Sequence, residues 1–291
     1  MPYTLTGDPP ETPRAKAGAD NRHADGGNRH DRGSPDALPL VLCANCGDCA
    51  RPILARRPGA GAGADPGSAV FQLIEVDTAT LKEAAAATGF FIGPNGAAIT
   101  NSHVVGAATL QPRKYRMLAI VGKEFYAADI VCASKLPFEQ VQNHGLPTGK
   151  SVTVGRDVAE IKLRPSDFSF STWVHALPSG EKLTLATAHR SELPTFPMLA
   201  LASGPYEGQQ VTVVGFGRIS PIISEWSTSG RIEKMWQARD GTTLFTAAYD
   251  GRPQPGNSGS PVLDADGRVV GVNTWYPVDS SSEATGQSLA P

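Results

Sequence analysis

Three short blocks of this chain hold residues that could act together chemically: Ser258 in PGNSGSPVL, His103 in TNSHVV and Asp157 in RDVAEIKL. A serine hydroxyl is a weak nucleophile at neutral pH and needs a base to take its proton. Histidine titrates near neutrality and suits that role. It needs in turn an acceptor that fixes its tautomer and stabilises its cation. Asp157 is the candidate acceptor, and Asp129 in YAADIVCA competes for the place. The apolar alternation Val158, Ile161, Leu163 that follows Asp157 puts it at the mouth of a strand and favours it. His103 and Asp157 lie 54 residues apart, and Asp157 and Ser258 lie 101 apart, so only a fold that gathers distant loops can unite them. Taken singly, each residue has a plainer reading: a structural histidine at a strand end, a strand-end cap, a serine in a turn. His23, His30, His144, His175 and His189 keep that plainer reading.

The elements needed to position these residues are short and β-like. TGFFIGPNGAAITNSHVV reads as a hairpin turned at Pro94-Asn95-Gly96, with His103 where the second strand emerges. Further apolar runs are RMLAIVG, FYAADIVCA, VAEIKL, KLTLATA, QQVTVVGFG, TLFTAAY, SPVLDADG and RVVGVNTW, punctuated by Gly, Pro, Asn and Ser. Such punctuation predicts an all-β sandwich or a pair of barrels. The last two runs predict a hairpin turned at Asp264-Ala265-Asp266-Gly267. The one helix-like run, TATLKEAAAATG from Thr78 to Gly89, is expected to form a turn of helix or a surface loop.

Composition narrows the function classes. The 291 residues carry 26 basic and 28 acidic side chains, a formal net charge of −2, and are 40% hydrophobic. That balance excludes a nucleic-acid platform or an anionic-membrane binder, both of which need a basic field. No apolar run approaches the roughly 18 residues that span a bilayer, so the expectation is a soluble chain. No secretory signal is visible: ALPLVLC is short and follows a polar segment, which makes a cytoplasmic location the default. Residues 1–69 are rich in Gly, Pro, Asp, Arg and Asn and are expected to be a disordered tail or linker. That segment contains Cys43, Cys46 and Cys49 at C-x2-C-x2-C spacing. A zinc site would need a fourth ligand such as His23, His30 or Cys132, so the expectation is a reduced thiol cluster and no metal.

The three blocks, in the order His, Asp, Ser, resemble the signature blocks of trypsin-like serine proteases. The phrasing is most similar to the bacterial branch of HtrA-like and glutamyl-endopeptidase-like enzymes, and the resemblance covers about residues 70–290. It implies a chymotrypsin-like fold of two antiparallel β-barrels, about 70–175 and 190–291, with a cleft between them. It implies peptide-bond hydrolysis through an acyl-enzyme, with Ser258 as nucleophile, His103 as base then acid, and Asp157 orienting His103. The backbone N–H groups of Gly256 and Ser258 would form the oxyanion hole. Substrate would add as a strand along Asn273, Thr274 and Trp275. GQSLAP, from Gly286, resembles the strand that walls the specificity pocket. Arg252 stands where the family sets the pocket base; pointing inward it would favour acidic side chains, pointing outward it would leave specificity untouched. Ser260 replaces the family's usual glycine. The implied partner is a protein or peptide substrate, with no cofactor. The alternatives left open are a catalytically inactive binding or sensor module of the same fold, and a protease governed by a zinc or redox switch in its cysteine tail.

Overall fold

The structure, a computed structural model, describes residues 65–134, 139–142, 151–154, 157–166, 174–176, 182–184, 192–219, 222–237, 242–251, 254–275 and 283–288. The cysteine cluster, Arg252 and nearly all of the segment read as a tail lie outside these residues. The chain is all-β, with two closed six-stranded antiparallel barrels.

The first barrel is built from β1 (Val70–Asp77), β2 (Glu83–Phe91), β3 (Ala97–Thr100), β4 (Tyr115–Val121), β5 (Glu124–Ala133) and β8 (Ala159–Pro165), in the order β1-β2-β3-β8-β5-β4. A short 3-10 turn, Pro66–Ala69, leads into it. Phe71 and Leu73 from β1 meet Phe91, Tyr126, Ile161 and Leu163 in its core, all fully buried. Two further sheets have two strands each: β6 (Glu139–Gln142) with β7 (Ser151–Val154), and β9 (Val174–Ala176) with β10 (Lys182–Thr184).

The second barrel runs β11-β12-β13-β16-β15-β14, from β11 (Gln210–Ile219), β12 (Ile222–Gln237), β13 (Thr243–Tyr249), β14 (Pro261–Leu263), β15 (Val269–Trp275) and β16 (Glu283–Ser288). β16 contains the first residues of the stretch read as the pocket wall and closes the sheet between β13 and β15. Asp264 to Gly267 form the expected turn. The Asp264 carboxylate accepts from the amides of Asp266 and Arg268, both at 2.9 Å, which replaces the hydrogen bonds a tight reversal leaves unmade.

The two barrels share a core. Val70, Phe90, Ile99 and Val158 of the first pack with Leu263, Val269 and Val272 of the second, and Leu199 of the connecting segment joins them. That segment is stitched to both sides: the Leu199 amide donates to Phe91 O and the Ala202 amide to Val269 O, at 2.9 and 2.8 Å.

Two expectations are corrected. The alanine-rich run is not helical: after a turn held by Asp77 Oδ1, which accepts the amides of Ala79 and Thr80, Glu83 to Phe91 form β2 and pair antiparallel with β1, with one register shift between Glu75 and Val76. Alanine prefers helix only weakly, and pairing on a barrel wall outweighs a few tenths of a kcal/mol per residue. His103 does not end a strand; it sits in the first turn of α1 (Ser102–Leu110), immediately after β3.

Candidate active site

His103 is fixed from both its backbone and its ring. Its amide donates to Asp157 Oδ1 at 2.9 Å, and its Nδ1 lies 2.6 Å from Asp157 Oδ2. Thr274 Oγ1 donates to the same Oδ2. A carboxylate oxygen accepts, so the Nδ1 facing it carries the proton and the basic lone pair of the ring is on Nε2. Asp157 is fully buried, whereas the His103 side chain is 36% exposed. A buried carboxylate needs several donors to offset its desolvation, and these three supply them.

The sequence around His103 places this pair. Asn101 occupies the N-cap of α1 without capping it; its Nδ2 donates to Asp157 O at 2.7 Å. Ser102 Oγ donates to Val158 O at 2.7 Å and accepts from the Ser134 amide at 2.8 Å. TNSHVV thus binds the loop before β8 at successive residues, which is why Asp157 meets His103 across 54 residues. Asp129 lies elsewhere: exposed on β5, it pairs with Arg164 Nε at 2.8 Å.

Ser258 sits half-buried in the loop before β14. The loop is clamped on two sides. Toward β15, the Gly259 amide donates to Asn273 O at 2.9 Å and Asn273 Nδ2 donates to Asn257 O at 3.1 Å. Toward β2, Ser258 O accepts from the Thr88 amide and Gly256 O from Thr88 Oγ1, both at 2.9 Å. Thr88 Oγ1 also accepts from the Phe216 amide at 3.0 Å. Glycine is required at Gly259: φ is +85°, and a Cβ would stand 2.2 Å from Thr88 O and 2.4 Å from Thr100 Oγ1. Ser260, where the family usually has glycine, finds room because its partner strand carries Gly215. A Cβ on Gly215 would lie 2.0 Å from Ser260 Oγ.

The expected oxyanion donors fall in this loop. Gly256 adopts φ +102°, a left-handed conformation that glycine alone takes readily. Asn257 O is directed at Asn273 Nδ2 and the Ser260 amide. In a trans peptide the N–H points opposite its carbonyl, so the Ser258 N–H faces away from those partners.

His103 and Ser258 line one cavity of about 130 Å³, together with Glu75 and Ala85 to Ala87. The expected substrate edge is revised at one end. Asn273 is 4% exposed, and its amide and carbonyl bond Ser260 O and the Gly259 amide, so it anchors the loop and has no free edge. The Thr274 hydroxyl serves Asp157. Trp275 ends β15 opposite Thr285. Sequence reasoning missed Thr88, a lone threonine in an alanine-rich strand with no local signal, and it missed Glu75.

The profile of the trypsin-like peptidase domain matches residues 87–272 of the chain. No curated protein matches in sequence. Among solved structures, the chain is similar to the active form of the Rv3671c protease from M. tuberculosis at 18% identity and TM-score 0.49, covering 77% of each chain. It is similar to the serine endoprotease from Yersinia pestis at 14% identity and TM-score 0.47, over 76% of this chain and 59% of that one. It is also similar to Deg5 at 17% identity and TM-score 0.48, over 75% and 83%.

Proposed function

The chain belongs to the trypsin-like peptidase domain family, and from that premise we propose that it is a serine endopeptidase acting through an acyl-enzyme. The observation that supports this most is the three-donor seat of Asp157, which leaves His103 Nε2 as a base beside the cavity that Ser258 also lines.

In this reading Ser258 Oγ attacks the scissile carbonyl carbon while His103 Nε2 takes its proton. The carbonyl electrons move to oxygen, and the N–H groups of Gly256 and Ser258 hold the oxyanion. Each such donor lowers the barrier by roughly 3–4 kcal/mol. The tetrahedral species collapses, the C–N bond breaks, and the leaving amine takes the proton from His103. Water then attacks the acyl-enzyme with His103 again as base, releasing the carboxylic acid and restoring Ser258. Asp157 accepts from His103 Nδ1 throughout and stabilises the imidazolium. The acyl half of the substrate adds to the barrel edge at Thr274 and Trp275, beyond the end that Asn273 occupies internally. The scheme calls for no metal or organic cofactor.

The test is hydrolysis of an internally quenched peptide or an unfolded protein. Ser258→Ala is expected to lower turnover by about 10⁶ while the melting temperature stays near that of the wild type. A Ser258→Ala chain that hydrolyses as fast as the wild type contradicts the assignment.

A further inference from the structure

The cavity beside His103 and Ser258 contains a group that the acyl-transfer scheme does not use. Glu75 lines it and is only 6% exposed, and its Oε1 has no hydrogen-bond partner among the described residues. On β1 it shares a face with Phe71 and Leu73, which fill the barrel core, so an apolar side chain would satisfy packing there. A carboxylate withdrawn from water without full pairing is a cost to the fold. Burial holds its carboxyl above the usual carboxylate range, with the backbone amide of Ala108 partly opposing. An acid kept in such a place at the mouth of a reaction centre has the properties of a ligand-binding group.

The space around Glu75 comes from β2. Ala85 and Ala87, on one face of β2, border the cavity with single methyl groups. Ala86 borders it between them while packing its side chain toward Ile74 and Val76. Ala85 lies directly opposite Glu75 in the strand register. At about 30 Å³ per water, the cavity's 130 Å³ holds roughly four waters or the stem of one long side chain.

The direction of the substrate follows from the clamps on the nucleophile loop. The loop is held between β15, through the Gly259 amide and Asn273 O, and β2, through Ser258 O and the Thr88 amide. In the acyl-transfer reading, a peptide whose acyl half adds to β15 on one side of this loop leaves on the other side, where β2 lies. The first residues after the scissile bond therefore pass over Ala85 to Ala87 and the opening of this cavity.

We propose that the cavity is a binding pocket for a lysine or arginine side chain on the leaving-group side of the scissile bond, with the Glu75 carboxylate as its acceptor. A long aliphatic stem suits the methyl-lined walls, and a cationic head supplies the donors that Glu75 Oε1 lacks. The proposal rests on the acyl-transfer reading for the direction of the chain, but occupancy of the pocket does not require turnover.

The experiment is calorimetric binding of two leaving-group peptides, lysyl-alanine amide and norleucyl-alanine amide, to the full chain at neutral pH. They differ only in the charged head. The lysyl peptide is expected to bind about 10- to 100-fold more tightly, as a charge-assisted hydrogen bond in a desolvated site implies, and the ratio should fall to near one in Glu75→Gln. Ala85→Lys, at an exposed position facing Glu75, supplies an internal cation and should abolish the preference without altering the core. Equal binding of the two peptides, or a preference that survives both substitutions, overturns the proposal. Labelling of the wild-type chain by a fluorophosphonate separates the two readings. Labelling without lysine selectivity removes the pocket alone. Lysine selectivity that both substitutions abolish upholds the pocket even where no serine is labelled, and then the acyl-transfer reading is the one that fails.

Discussion

Two carboxylates near the cavity differ in the donors around them. Asp157, fully buried, accepts from the His103 amide, the His103 ring and Thr274 Oγ1. Asp157→Asn keeps the volume but offers an NH₂ where an acceptor is needed, favouring the wrong imidazole tautomer. The expected outcome is a near-native melting temperature with turnover reduced by about 10⁴, read from kcat on a quenched peptide; unchanged turnover would remove Asp157 from its role. Glu75 Oε1 has no donor among the described residues, and burial raises the pKa of this carboxyl, with the Ala108 amide only partly opposing. The sign follows directly: the folded state holds this proton more tightly than the unfolded chain does. Stability is therefore lost as pH rises from the ordinary carboxylate range through the raised value. Glu75→Gln does not titrate, so its melting temperature should exceed that of the wild type by a margin that grows with pH and vanishes in acid. A margin independent of pH contradicts this account of Glu75.

At the scale of elements, the nucleophile loop depends on β2 as much as on its own glycines. Thr88→Val preserves shape but leaves Gly256 O and the Phe216 amide without their partner. Each buried group left unpaired costs about 1–3 kcal/mol, so a lower denaturation midpoint and slower turnover are expected together; a midpoint equal to the wild type's would remove the clamp. This strand also marks the limit of what the sequence discloses. TNSHVV, RDVAEIKL and PGNSGSPVL are legible because each packs its chemistry and its local structure into adjacent residues. β2 is not, because its alanines favour helix locally and become a strand only through pairing with β1. Those same alanines border the cavity, and a helix-like composition is what small side chains on a cavity wall look like in sequence. β12, sixteen residues long, was missed because IISEWSTSGRIEKMWQ has no clean apolar period: its described residues from Glu225 on are mostly exposed or half-buried. The helical setting of His103 was missed because nine residues, SHVVGAATL, give too short a pattern to separate from the end of β3. Asn273 was misread for a related reason. Its position on β15 was evident, but the partners of its amide and carbonyl depend on a loop folding back across it.

At the scale of the whole molecule, the candidate site is divided between the two barrels. His103 and Asp157 belong to the first, Ser258 and Thr274 to the second, and Thr274 and Thr88 each bond across the divide. The shared core of Val70, Phe90, Ile99, Val158, Leu263, Val269 and Val272 fixes that alignment. Phe90 is fully buried there and does not line the cavity. Phe90→Ala should cost about 3–5 kcal/mol and reduce activity with it, and calorimetry should show one cooperative transition. Two separated transitions would mean that the barrels do not depend on one another. The central claim, that Ser258 is a nucleophile activated by His103, is tested most directly by mapping a fluorophosphonate adduct by mass spectrometry. The account predicts one adduct, on Ser258, in the wild-type chain and none in folded His103→Ala. An unlabelled wild type, or equal labelling of Ser258 in the His103 variant, would contradict it.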